Sequence, residues 1–182
     1  MSERIPRLQM EAMPAVLAAA LRPRVDRLGY LGEFFQCAAN VPEALLAFQR
    51  FTEALKQALP ERVTEVVALT VAARLGNDYE RHQHERLCRA LGYDDAWIRG
   101  VTALQPGVAA LDAVDRAVQA LVLRVIERQG HEVAAELDAV VDALGAAPAM
   151  AVLLSIGRYV THSVVVNALA LAPPVASLFD EV

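Results

Sequence analysis

Asn77-Asp78-Tyr79-Glu80-Arg81-His82-Gln83-His84-Glu85-Arg86-Leu87-Cys88-Arg89-Ala90-Leu91-Gly92 reads as a single helix whose apolar stripe is interrupted. Wound at helical period, Glu80, His84, Leu87, Cys88 and Leu91 share one side, and Arg81, His82, Glu85 and Arg89 share the other. A carboxylate and an imidazole one turn apart thus sit on the stripe that should face a core. The charged side, His82 included, is expected to be solvated. The preceding segment Glu61–Leu75 is apolar from Val66 onward except for Thr70 and Arg74, and its helical net puts Glu65 between Leu69 and Ala72. Buried polar groups cost free energy unless paired, so Glu65, Glu80 and His84 are expected to meet.

The rest of the chain also reads as helix. Gln9–Leu21 is predicted as a first helix stopped by Arg22-Pro23, followed by a Gly29–Gly32 turn and a short apolar stretch around Phe34–Ala38. Pro42 stands at a first helical position for a helix to about Leu59, and Pro60 opens the next. Beyond Gly92, the helices Asp94–Thr102, Ala110–Gln129, Glu132–Leu144 and Pro148–Leu171 are separated by Gln105-Pro106-Gly107, Gly130 and Gly145, and a Pro173-Pro174 tail follows. No alternating strand pattern of useful length occurs. The expectation is an all-α, single-domain chain, with N-terminal helices 9–59, a core motif 60–102, C-terminal helices 110–171 and a tail 172–182.

Composition narrows the function classes. The 182 residues are 55% hydrophobic but only 5% aromatic, with a mean hydropathy of +0.32, which predicts an aliphatic core and buried subunit contacts. A net charge of −5 without any basic cluster argues against nucleic acid. Met13–Leu21 imitates a signal-peptide core but is interrupted by Pro14, and Tyr159–Phe179 carries His162, Asn167 and two prolines, so no membrane partner is expected. Cys37 and Cys88 form no Cys-x-x-Cys or zinc pattern, which fits a reduced, cytoplasmic chain.

Each candidate has a plain structural reading. Asn77-x-x-Glu80 is a capping box, in which Asn77 accepts from the Glu80 amide and Glu80 reaches back. His84 alone is a core histidine; beside two carboxylates it becomes a candidate general acid/base whose imidazolium is stabilised. His-x-His on a helix does not bring both rings to one side, so neither a metal nor a cofactor is expected. Cys88 fits a small buried hydrophobe, and His162 fits the core of its apolar helix.

Glu65-Val-Val-Ala-Leu-Thr-Val-Ala, the Tyr79-Glu80-Arg81-His82-Gln83-His84 run and the Leu91-Gly92-Tyr93-Asp94-Asp95-Ala96-Trp97-Ile98 exit resemble the carboxymuconolactone decarboxylase and AhpD-like alkylhydroperoxidase superfamily. In its redox members a Glu is followed after eleven residues by Cys-x-x-Cys, then three residues and a His. Here Glu65 and His84 hold the outer positions, while Asn77 and Glu80 replace the two cysteines. The run is similar to a Tyr-Glu-Trp-x-x-His variant of non-redox members, with Arg81 for the tryptophan. The resemblance implies an AhpD-like helical bundle that assembles with itself into trimers or hexamers.

Without the two thiols, peroxidase chemistry through the motif is excluded. What remains is proton handling by Glu65, Glu80 and His84 on a small organic acid or lactone, with Asn77 and Tyr79 as substrate-pocket candidates. No Arg or Lys of the motif's apolar face is placed to hold a substrate carboxylate. Two alternatives stand beside this reading: an antioxidant, peroxidase-related oxidoreductase using Cys88 or Cys37, and a non-catalytic oligomeric small-molecule-binding protein.

Overall fold

The computed structural model describes residues 5–107 and 110–179; the last three residues of the tail lie outside the described residues. Among the described residues there are nine α-helices, one 3-10 turn at Met10–Ala12 and no strand. The fold is all-α, an AhpD-like helical bundle. The contacts gather the chain into two compact units, Met1–Glu53 and Ala54–Val182.

The first unit carries α1 (Ala15–Leu28), α2 (Glu33–Ala38) and the start of α3 (Pro42–Ala58). Helix α1 begins later than expected and runs straight through Pro23. A proline inside a helix forfeits one backbone hydrogen bond. The apolar positions Leu17, Leu21, Val25 and Leu28 continue at helical spacing across it, with Leu17 and Leu21 fully buried. The helix stops instead at Gly29, whose left-handed backbone (φ 79°) lets its N–H bond the Val25 carbonyl. Phe34 packs edge-on against Phe35, and the Arg24 guanidinium lies 4.7 Å over the Phe35 ring.

The second unit is built around α4 (Glu61–Arg74), which is buried without interruption from Val63 to Ala72. A helix that is apolar all round must be surrounded. Accordingly α4 packs against α5 (Asp78–Ala90), α6 (Asp95–Thr102), α7 (Ala113–Arg128) and α9 (Ala146–Ala168), while α8 (Ala134–Leu144) bridges α7 and α9. Val66, Val67, Leu69 and Val71 of α4 share one core with Ile98, Val101, Val118, Leu121, Val122, Val140, Val152 and Ile156. Full burial of such a side chain stabilises by about 1.5–3 kcal/mol, so this aliphatic cluster dominates the unit.

Two local devices place the candidate residues. Gly76 takes a left-handed conformation (φ 62°) between α4 and α5, turning the chain so that α5 lies against α4. Asn167 near the end of α9 donates to the Leu75 carbonyl at the end of α4, tying those termini together. Helix α9 is long and apolar enough to cross a membrane by length and composition; over half of its most apolar 18-residue stretch is buried, and its buried residues include Ser155, Arg158, His162 and Ser163. Arg158 and His162 meet Glu80 of α5, and Ser163 meets the α5 cap Asn77, the pattern of a core helix.

Candidate functional site

Glu65 leaves α4 in the middle of its buried run and is 3% exposed. Its Oε2 accepts from His84 Nδ1 at 2.6 Å and from Cys88 Sγ at 3.4 Å, both on α5. One turn before His84, Glu80 points inward as well, and its Oε1 faces His84 Nε2 at 3.6 Å, too long for a hydrogen bond. The expected meeting of Glu65, Glu80 and His84 is therefore present in the geometry. His84 lies between two carboxylates, one bonded to Nδ1 and the other facing Nε2.

Helix α9 adds two residues. Arg158 donates from Nη1 to Glu80 Oε1 at 2.8 Å, and His162 Nε2 stands 3.2 Å from Glu80 Oε2. Arg158 is 6% and His162 2% exposed. The guanidinium also stacks 4.2 Å over the Tyr159 ring, whose edge meets His84 at 5.6 Å between centroids. An anion so deep is tolerated because it is paired and hydrogen-bonded on both oxygens.

Charge follows from this arrangement. Burial pulls the His84 imidazole toward neutrality, but the attraction of Glu65, its hydrogen bond, and Glu80 outweigh it and raise the pKa to about 9. At neutral pH His84 is an imidazolium. For Glu80, burial pushes the carboxyl up, yet the His162 N–H beside Oε2, the Arg158 guanidinium and His84 together hold it well below the usual carboxylate range. Cys88 is pushed far above an ordinary thiol, first by burial and then by the Glu65 charge beside it. Such a thiol stays protonated and is a poor nucleophile.

Residues 42–123 match the model of the carboxymuconolactone decarboxylase family. Over that stretch the chain is similar to the carboxymuconolactone decarboxylase family. An alkylhydroperoxidase AhpD core protein of Ralstonia eutropha JMP134, described as peroxidase-related and uncharacterised, superimposes with a TM-score of 0.82 at 17% identity, over 93% of this chain and 91% of that one. A putative antioxidant defence protein AhpD of Agrobacterium tumefaciens gives 0.67 at 16% identity, over 76% and 96%. A Cys→Ala variant of the debrominase Bmp8, in complex with 2,3,4-tribromopyrrole, gives 0.79 at 14% identity, over 94% and 92%. No curated protein matches the sequence. At these identities the likeness is one of fold, and one fold can carry more than one chemistry.

Several expectations need correction. Asn77 does cap α5, accepting from the Glu80 N–H at 3.1 Å, but the return half of the capping box is missing. The Asn77 N–H bonds the Ala72 carbonyl instead, which frees the Glu80 carboxylate for Arg158 and His162. Two residues on the outer side of α5 are not solvated either: His82 is 7% and Glu85 0% exposed, whereas Arg89 is exposed. The chain after α9 covers them. Glu85 Oε2 accepts from Ser177 Oγ at 2.7 Å and from the Leu178 N–H at 3.1 Å, and His82 Nδ1 lies 3.1 Å from the Val175 carbonyl. His162 and Arg158 belong to the polar cluster, although His162 was expected only in the core and Arg158 was not singled out.

The pocket candidates are both buried. Asn77 is 1% exposed and Tyr79 2%, its ring 5.8 Å from His162. Among the described residues no group of three His, Cys, Asp or Glu side chains is arranged to hold a metal ion.

Proposed function

We propose that the protein carries out carboxymuconolactone-decarboxylase-like proton transfer on a small organic acid or lactone, with His84 as proton donor. The observation that supports this reading most is the two-sided setting of His84, 2.6 Å from Glu65 at Nδ1 and 3.6 Å from Glu80 at Nε2. Glu65 fixes the ring and stabilises the imidazolium, as a carboxylate does for a catalytic histidine. Nε2 is left without a tight hydrogen bond and is the atom that delivers the proton. The proton passes from Nε2 to a carbanion or enolate carbon of the substrate, leaving a neutral imidazole still held through Nδ1–H. Glu80, kept ionised, attracts the proton's replacement back to the ring. A donor with a pKa near 9 is charged and ready at pH 7.

The thiol alternative has less support. Asn77 and Glu80 stand where the motif needs sulfur, and Cys88 is buried and held protonated. Deuterium incorporation tests the leading reading. With carboxymuconolactone and simple unsaturated lactones in D2O, the wild type should label product carbon, and His84→Gln should abolish it. Labelling that survives His84→Gln but is lost in a Cys37→Ser, Cys88→Ser double variant would replace the proton-transfer reading with the thiol one.

We also propose self-association as the state in which this chain works. On α9 the exposed residues Met150, Leu154, Gly157, Thr161 and Val164 follow four-three spacing and carry no charge. Sedimentation of the wild type should give an oligomer, and Leu154→Glu should lower its mass; a monomeric wild type refutes this. Cys37 and Cys88 are buried and in no disulfide, which fits a reducing compartment such as the cytoplasm.

A further inference from the structure

The Asn77 side chain makes contacts that determine the protonation of a histidine 85 positions away. Its Oδ1 accepts from the Glu80 backbone N–H, which fixes which end of the amide is oxygen. The other end, Nδ2, is therefore a donor, and it lies 3.2 Å from His162 Nδ1 and 3.0 Å from Ser163 Oγ. A donor facing Nδ1 requires a bare lone pair there. The ring proton of His162 must then sit on Nε2, the nitrogen that faces Glu80 Oε2 at 3.2 Å.

This has a consequence for His84. Glu80 Oε1 is already held by Arg158 at 2.8 Å and faces His84 Nε2. A doubly protonated His162 would make a third cation around one carboxylate and dilute its attraction for His84. A neutral His162 donates an N–H to orient the carboxylate but leaves its charge to Arg158 and His84. We infer that Asn77 and His162 are positioning residues, the amide imposing the neutral Nε2–H form on His162 so that Glu80 stays aimed at His84. The functional half of this inference rests on His84 being the proton carrier; the tautomer half does not.

Long-range nitrogen–proton NMR of the histidine-labelled full chain tests both halves. In the wild type His162 should show a bare Nδ1 and a protonated Nε2 at neutral pH. Asn77→Asp keeps an acceptor for the Glu80 N–H, since aspartate caps as well as asparagine. It removes the donor at Nδ1, however, so His162 should become doubly protonated and the His84 midpoint should fall by about one pH unit, tenfold in its protonation constant. His162→Gln, whose amide can accept from Asn77 and donate to Glu80 without ever being charged, should leave the His84 midpoint in place.

A wild-type His162 with its proton on Nδ1, or on both nitrogens, overturns the inference without needing any variant. So does a His84 midpoint that drops in His162→Gln as far as in Asn77→Asp. Deuterium labelling is read separately: its absence in wild type with the expected tautomers would remove the proposed reaction and leave the His162 assignment standing.

Discussion

The two sides of α5 each bury a carboxylate and a histidine, yet they treat the proton in opposite ways. On the inner side His84 meets Glu65 and Glu80, both acceptors, so both ring nitrogens are held protonated. On the outer side His82 presents Nδ1 to the Val175 carbonyl and Nε2 to Arg81 Nη2 at 3.2 Å. An arginine only donates, so the Nε2 that faces it is placed to accept. The carboxylates differ likewise. Glu80 is surrounded by Arg158, His162 and His84, whereas Glu85 accepts from a hydroxyl, a backbone N–H and Arg81. Burial alone therefore does not single out a functional site. The inner side gathers groups that exchange protons, and the outer side gathers groups that tie down the end of the chain.

The comparison predicts that the inner side is the more fragile. Arg158→Met strips Glu80 of its guanidinium in a buried setting, and breaking such a pair costs about 3–5 kcal/mol. Urea unfolding should show that loss; a change below about 1 kcal/mol would mean that the two histidines alone satisfy Glu80. On the outer side Glu85→Ala leaves Ser177 and the Leu178 N–H without their acceptor, at about 1–3 kcal/mol. Its effect should be local. Amide exchange should accelerate at residues 175–179 while His84 titrates as before. A shifted His84 would show that the two sides are coupled.

Acid and base should act on the inner side from opposite directions. His84 has its folded pKa raised from 6.5 to about 9, so its stabilisation is complete below about 6.5 and is lost as pH rises through about 9. Glu80 is depressed from 4.5, so its stabilisation is present above about 4.5 and is lost as pH falls through the lower folded value. Stability should thus be level between about pH 5 and 6.5, and Glu65→Gln should flatten the alkaline loss. An alkaline decline of unchanged size in that variant would remove Glu65 from the account. The smallest effect belongs to Cys88→Ser, which keeps a donor toward Glu65 Oε2 and should move the His84 midpoint little. A large shift would make the thiol part of the charge balance.

The Glu65–His84 pairing was legible because both residues interrupt apolar stripes of neighbouring helices at spacings the sequence displays. The helices were legible for the same reason, apart from α1, where Pro23 looks like a stop until burial of Leu17 and Leu21 is taken into account. Arg158 and His162 were missed as partners because Glu80 lies 78 positions from Arg158, and helical periodicity is silent about contacts at that range. A signal existed: Arg158 is the one formal charge between Ala146 and Leu171, and His162 follows it by a turn on the same side. The burial of His82 and Glu85 was not legible, because their side of α5 is polar and only the placement of Val175–Phe179 covers it. Polar patterning predicts a solvated face unless another segment lies on it.

The central claim is that two carboxylates hold His84 as an imidazolium, and an NMR titration of His84 measures that directly. The wild-type ring should be protonated at pH 7 with a midpoint near 9, and Glu80→Gln and Glu65→Gln should each lower it. A wild-type midpoint at or below 6.5, unmoved by either substitution, would contradict the account.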